Sequence, residues 1–258
     1  MAFSSPIAPI IALALGGVAC RPQSPTAVKA ELAACIPPDT LVLAGIHLDS
    51  LRASPSFQNV AAIWMPLPEP LRNASSLLVA YNGKEMLLIA SGQFPTAQAG
   101  TVRLTPEIAL AGAASAVGAA TAQHASGRTG VPSLVAKAAP VASQQIWAIV
   151  GGEAPLPVSG NSANFLRLLR LTDHVTLTVE LNSRVAIEVA GFGRSEASAE
   201  SLEGTLRGLV SLTAGATPDR DLATVLSSVK IRREALTVRA ELSTTPAALQ
   251  TLLREATR

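Results

Sequence analysis

Residues 175–189 read VTLTVELNSRVAIEV, and the period of that stretch decides the fold. Val175, Leu177, Val179 and Leu181 alternate with Thr176, Thr178 and Glu180; after Asn182-Ser183-Arg184, Val185, Ile187 and Val189 alternate again. Successive side chains on a strand point to opposite faces, so the pattern predicts a β-hairpin with one apolar and one wet face. The next residues supply cover for the apolar face. Ser195 is placed to cap a helix in which Ala199, Leu202, Leu206, Leu209 and Val210 recur at three- and four-residue steps, ending near Gly215. Thr217-Pro218 opens a shorter helix with Leu222, Val225 and Leu226. Val229 and Ile231 lead to a turn around Arg233-Glu234, and Leu236, Val238, Ala240 and Leu242 form the return strand. Thr245-Pro246 starts a last helix with Ala248, Leu249, Leu252, Leu253 and Ala256 on its buried side. Residues 161–258 therefore read β-β-α-α-β-β-α. That order implies an α+β fold, an antiparallel sheet built from β-hairpins with amphipathic helices packed on one face, and not a doubly wound nucleotide-binding sheet.

Upstream, residues 36–150 read as a second half of similar size. Residues 40–48 (TLVLAGIHL) form an apolar run suited to a buried strand. Asp49 offers an N-cap, and Ser54-Pro55 a cap with proline at the first helical position. Phe57, Val60, Ala61 and Trp64 follow at helical spacing until Pro66. Apolar runs at 77–81 and 86–90 flank Asn82-Gly83, whose preference for positive φ predicts a tight type I′ hairpin. Residues 107–111 (EIALA) are a strand candidate, 112–126 an alanine-rich helix, and 145–150 (QIWAIV) a closing strand. Residues 108–123 lack charge, but alanine gains little in lipid and two glycines interrupt the run, so they are not read as a membrane span. Residues 151–160, with Pro155 and Pro157, are the best linker. Charged side chains are denser beyond them.

The first nineteen residues carry no charge, and residues 7–15 are almost continuously apolar before Gly16, Gly17, Val18, Ala19 and Cys20. An apolar run followed by small residues is the pattern of a secretory signal peptide, residues 1–19. It is too short to span a hydrocarbon core, which needs about 20 apolar residues. Gly17-Val18-Ala19-Cys20 resembles the lipobox of bacterial lipoproteins. The resemblance implies acylation at Cys20 and anchorage in a membrane, since several acyl chains together hold a protein there stably. Residues 20–35, with two prolines, read as a polar tether. With Cys20 acylated, Cys35 is an odd thiol, buried or paired between molecules; with Cys20 free, the two could close a short loop.

The 258 residues carry 20 Lys and Arg against 18 Asp and Glu, a net charge of +2, and eight aromatics. Such a balance has no long-range field for polyanions, and nucleic acid is not an expected partner. Two Cys and three His are too few for a zinc cluster, and no metal or other cofactor is expected. His47, His124 and His174 share no local element at ligand spacing. His47 is two residues from Asp49, with Ser50, Ser54 and Ser56 nearby, so a hydrolase-like triad could assemble in space, although a Gly-x-Ser-x-Gly elbow is missing. Gly191-Phe192-Gly193-Arg194 lacks the third glycine of a phosphate loop and reads as a strand-to-helix turn. Lys230, Arg232 and Arg239 fall on the wet side of the last hairpin, a solvated face or a docking face for an anionic partner or another envelope protein. Finally, Pro37-Pro38-Asp39-Thr40 through Leu51-Arg52-Ala53-Ser54-Pro55, with Leu206-Arg207-Gly208-Leu209 later, resembles uncharacterised exported proteins of acidobacterial type. That likeness implies an envelope protein and lends no catalytic residue. The expectation is a lipid-anchored, non-catalytic binding or scaffolding module of the cell envelope. The alternatives are a periplasmic enzyme with a site assembled from distant residues and a soluble secreted interaction protein.

Overall fold

The computed structural model describes residues 28–57, 71, 73–96, 99–156 and 163–256. The expected signal peptide, Cys20, the turns around Val60, Ala61 and Trp64, and residues 157–160 of the linker lie outside them.

β7 (Thr172–Leu181) and β8 (Val185–Gly193) form the hairpin predicted from the alternation, with Leu181 opposite Val185 and Leu177 opposite Val189. β9 (Lys230–Glu234) and β10 (Thr237–Thr244) form the next, and β10 lies along β8. In the N-terminal half, β1 (Val42–His47) is flanked by β2 (Ala74–Tyr81) and β6 (Ile146–Gly151), and β2 by β3 (Met86–Gly92). β5 (Ile108–Gly112) pairs with β3, and β4 (Val102–Thr105) takes the edge. β6 also pairs with β7, Ile146 opposite Val179, so the halves share one antiparallel ten-stranded sheet ordered β4-β5-β3-β2-β1-β6-β7-β8-β10-β9.

Eight helices accompany it among the described residues: α1 (Ala30–Ala33), α2 (Leu48–Arg52), α3 (Ala114–Ala125), α4 (Pro132–Ala138), α5 (Ala163–Arg170), α6 (Glu196–Ala216), α7 (Arg220–Ser227) and α8 (Pro246–Ala256). The α+β class and the antiparallel sheet are as expected; the placing of the helices adds a feature. Leu43 is opposite Ile149, and both pack with Leu78, Leu87 and Leu110 under Leu32 of α1, Ala116 and Ala120 of α3, and Leu134 of α4. Ile146 points the other way. With Val179, Leu181 and Val185 it packs against Leu51 of α2 and Leu249 of α8. Ile231 and Val238 lie on this second face too and meet Leu168 of α5 and Ala199 and Leu202 of α6. Helices thus cover both faces of the sheet. The cause is visible in the strands: residues 77–80 of β2, 87–90 of β3 and 108–111 of β5 are apolar runs that bury both sides, whereas β7 and β8 alternate and bury mainly one, with Thr176 and Ala190 the buried pair on the other.

Several local readings need correction. The tether does not extend to residue 35: Leu32, Ala33 and Cys35 are buried, and Gly130 N–H donates to Ala33 O, so the folded body already includes α1. The second half starts with α5 ahead of the expected order, because Leu168 and Leu169 bury while Arg167 and Arg170 stay exposed. The Asn82-Gly83 hairpin forms, but with four loop residues. Tyr81 pairs with Met86, and Asn82 Oδ1 accepts from the backbone N–H of Lys84 and Glu85 at 3.0 and 2.9 Å, while Gly83 takes φ +96°. Asp49 is inside α2, not its cap, and pairs with Arg52 at 3.0 Å. Ser54 Oγ accepts from Ser56 N–H at 3.2 Å and its hydroxyl donates to Leu181 O across the sheet, while the helix expected after Pro55 lies mostly outside the described residues. Ser195 does cap α6, whereas α7 begins at Arg220 with Asp219 as its cap, not at the expected Thr217-Pro218.

Candidate functional site

The residues singled out for a triad do not converge on one another. A carbonyl oxygen only accepts, so His47 Nε2, 2.7 Å from Ala142 O, carries the proton and is occupied. The Asp49 carboxylate is held by Arg52, and the hydroxyls of Ser54 and Ser56 donate to the carbonyls of Leu181 and Asn182. His47 is a tie between the end of β1 and the loop before β6. Ser54 and Ser56 are ties between the two halves.

Cys35 is fully buried and unpaired. Its Sγ lies 3.4 Å from Glu31 O and 3.5 Å from His124 Nδ1. Burial pushes the thiol up to about 11, which keeps it protonated and unreactive at neutral pH. His174 stacks on Phe192 with centroids 4.1 Å apart, and its Nδ1 donates to Asp173 Oδ2 at 2.8 Å. Lys137 of α4 donates to the same oxygen at 2.7 Å, and these two bonds hold the Asp173 carboxyl below the usual range. Among the described residues no three His, Cys, Asp or Glu gather as a metal site.

Lys230, Arg232 and Arg239 share a face, as register requires: Arg232 is opposite Arg239 and Lys230 opposite Glu241. The face is mixed in sign. Arg239 pairs with Glu188 of β8, leaving Lys230 and Arg232 as its exposed cations. Arg233 points to the other side and donates to Glu203 of α6 at 3.1 Å; bonds from Arg207 first and Arg233 second hold that carboxyl low. The Gly191–Arg194 stretch is a strand end: Gly193 N–H donates to Leu236 O, and Arg194 bonds Thr172 O and Glu153.

Sequence reasoning missed a concavity on the α1 side of the sheet. Where β1 and β2 end beneath α1, a cavity of about 320 Å³ opens. Leu32, Leu78 and the Trp147 ring give it an apolar body, the side chains of Ile46 and Leu77 pack on the other face of the sheet, and His47, Ser75, Ser76 and, at the rim, exposed Lys29 are its polar part. Trp147 of β6 forms a wall over Gly45. A Cβ on Gly45 would lie 2.2–2.4 Å from Cε2, Nε1 and Cζ2 of that indole, so only glycine lets the ring lie flat there. Trp147 is 2% exposed, and among the described residues none accepts a hydrogen bond from its N–H. A buried indole N–H normally finds a partner, and leaving one unmet costs about 1–3 kcal/mol. The isolated signal in the sequence was Gly45 two residues before His47 on one strand; the pairing of Gly45 with Trp147, 102 positions later in the chain, is a matter of register.

No family model and no curated protein matches the sequence. Among solved structures, crystal forms I and III of TP0453 are similar, with TM-scores of 0.46 and 0.48 and identities of 10% and 11%. The similarity spans 86% of this chain and 95% and 96% of those chains. No described helix is long and apolar enough to cross a membrane.

Proposed function

We propose that the protein is an exported module of the cell envelope, anchored through acylated Cys20, that binds or scaffolds and does not catalyse. The observation that carries this reading is the uncharged apolar leader ending in Gly17-Val18-Ala19-Cys20. Two features of the body support it. The side chains nearest to a catalytic set, His47 and Asp49, are each tied by other groups, and the buried thiol is protonated. The body also starts close to the anchor: residues 21–29 reach at most about 30 Å when fully extended. A module on so short a lead works near the membrane surface. An acidic partner would meet it at Lys230 and Arg232.

The test is expression in a bacterial host, detergent phase partition and intact-mass measurement. Processed protein should start at Cys20, carry the added mass of acyl chains and enter the detergent phase, while Cys20→Ser should stay aqueous. Protein cleaved after Ala19 without acyl mass would identify a soluble secreted protein, and unprocessed protein in the cytosol would overturn export altogether.

A further inference from the structure

The cavity under α1 has a mixed apolar and polar lining. Its volume, about 320 Å³, is at the small end of the ~300–1,000 Å³ usual for small-molecule sites. Its lining combines apolar side chains with hydroxyls, an imidazole and, at the rim, a lysine. Trp147 N–H is buried without a protein acceptor. Ser75 and Ser76 add hydroxyls without partners among the described residues, and Lys29 adds a cation at the mouth. The lining also carries Asp49, an exposed carboxylate paired with Arg52 at 3.0 Å, so the charge at the mouth comes from Lys29 beside an ion pair. The site thus offers donors and positive charge to an acceptor group, and hydrocarbon contact to whatever carries it.

We propose that this cavity binds a small, compact apolar carboxylate, with one carboxylate oxygen accepting the Trp147 indole N–H and the apolar body seated against Leu32 and Leu78. The inference rests on the binding role proposed above and not on the anchor, so it is tested on full-length chain kept in solution by Cys20→Ser. Adding Trp64→Phe leaves Trp147 as the single tryptophan, whose emission reports directly on the site.

Benzoate, phenylacetate and cyclohexanecarboxylate are the probes, with benzyl alcohol and benzylammonium as neutral and cationic comparators. At least one carboxylate should saturate the emission change with Kd below about 1 mM, about tenfold tighter than benzyl alcohol, with no saturation by benzylammonium. Trp147→Phe, followed by calorimetry, should weaken the carboxylate about tenfold and bring it level with the alcohol. Because Trp147 is a core residue, Lys29→Gln at the exposed rim is the second variant; it should weaken carboxylate binding roughly threefold and leave the alcohol unchanged. No saturation by any carboxylate up to about 10 mM, equal binding of all three probe classes, or full affinity in folded Trp147→Phe would overturn the proposal and leave the cavity to water. Membrane partition of the unmodified protein is unaffected by any of these results.

Discussion

Gly45 and Trp147 show how much one missing side chain decides. The indole occupies the space that a β-carbon would take, so Gly45→Ala forces either the ring or β1 to move. Overpacking of this kind should cost about 1–3 kcal/mol, read as a lowered urea midpoint with unchanged slope. Cys35 gives a second residue-level expectation. Its folded pKa, about 11, is above the ordinary 9.0, so the fold favours the protonated thiol. That contribution is complete below pH 9 and is lost as pH rises from 9 towards 11, where the unfolded chain ionises first. The loss should be about 2–3 kcal/mol, seen in denaturation midpoints at pH 8 and pH 11, with Cys35→Ala lacking the slope. At pH 8 native Cys35 should resist alkylation that the unfolded chain undergoes readily. Composition announced an odd thiol. Its desolvation depends on α1 and α3 closing over it, which no local pattern encodes.

At the level of elements, the Ser195 cap is where sequence and structure agree, because its chemistry is local. Ser195 accepts from Ser198 N–H and Asp219 from Asp221 and Leu222 N–H. Ser195→Ala and Asp219→Ala should each cost about 1 kcal/mol in thermal or chemical denaturation. Asn82 binds two backbone donors of its loop and also donates to Asp39 at 2.8 Å, so Asn82→Ala should cost about 1–2 kcal/mol. The opposite sign is expected at Ala235, whose φ of +50° suits glycine; Ala235→Gly should stabilise by about 0.5–1 kcal/mol. The alternation of β7, β8 and β10 was legible because one side of each is wet. α1, α4 and β4 were not, since four to seven residues carry too little period to separate a helix from a loop. α2 was misplaced because His47 begins it without a side-chain cap, leaving Asp49 as the nearest apparent signal.

For the whole molecule, the seam between β6 and β7 matters most. Ile146 and Leu51 of the N-terminal half share a core with Val179, Leu181 and Leu249 of the other, and Ser54 and Ser56 bond across it. Calorimetry should therefore show a single transition with matching calorimetric and van't Hoff enthalpies; two resolved transitions would show that the halves melt alone. The charge shift near residue 151 marked a boundary in composition, yet strand pairing continues straight through it. β1 has a further consequence for biogenesis. Among the described residues it is the earliest strand to be synthesised, and it sits at the centre of the sheet with β2 on one edge and β6 on the other. A ribosome-bound or translocating chain halted before Ile146 therefore holds a sticky central strand with half its ladder missing. Such a polypeptide exposes an unpaired, aggregation-prone edge until roughly three-fifths of it has been made.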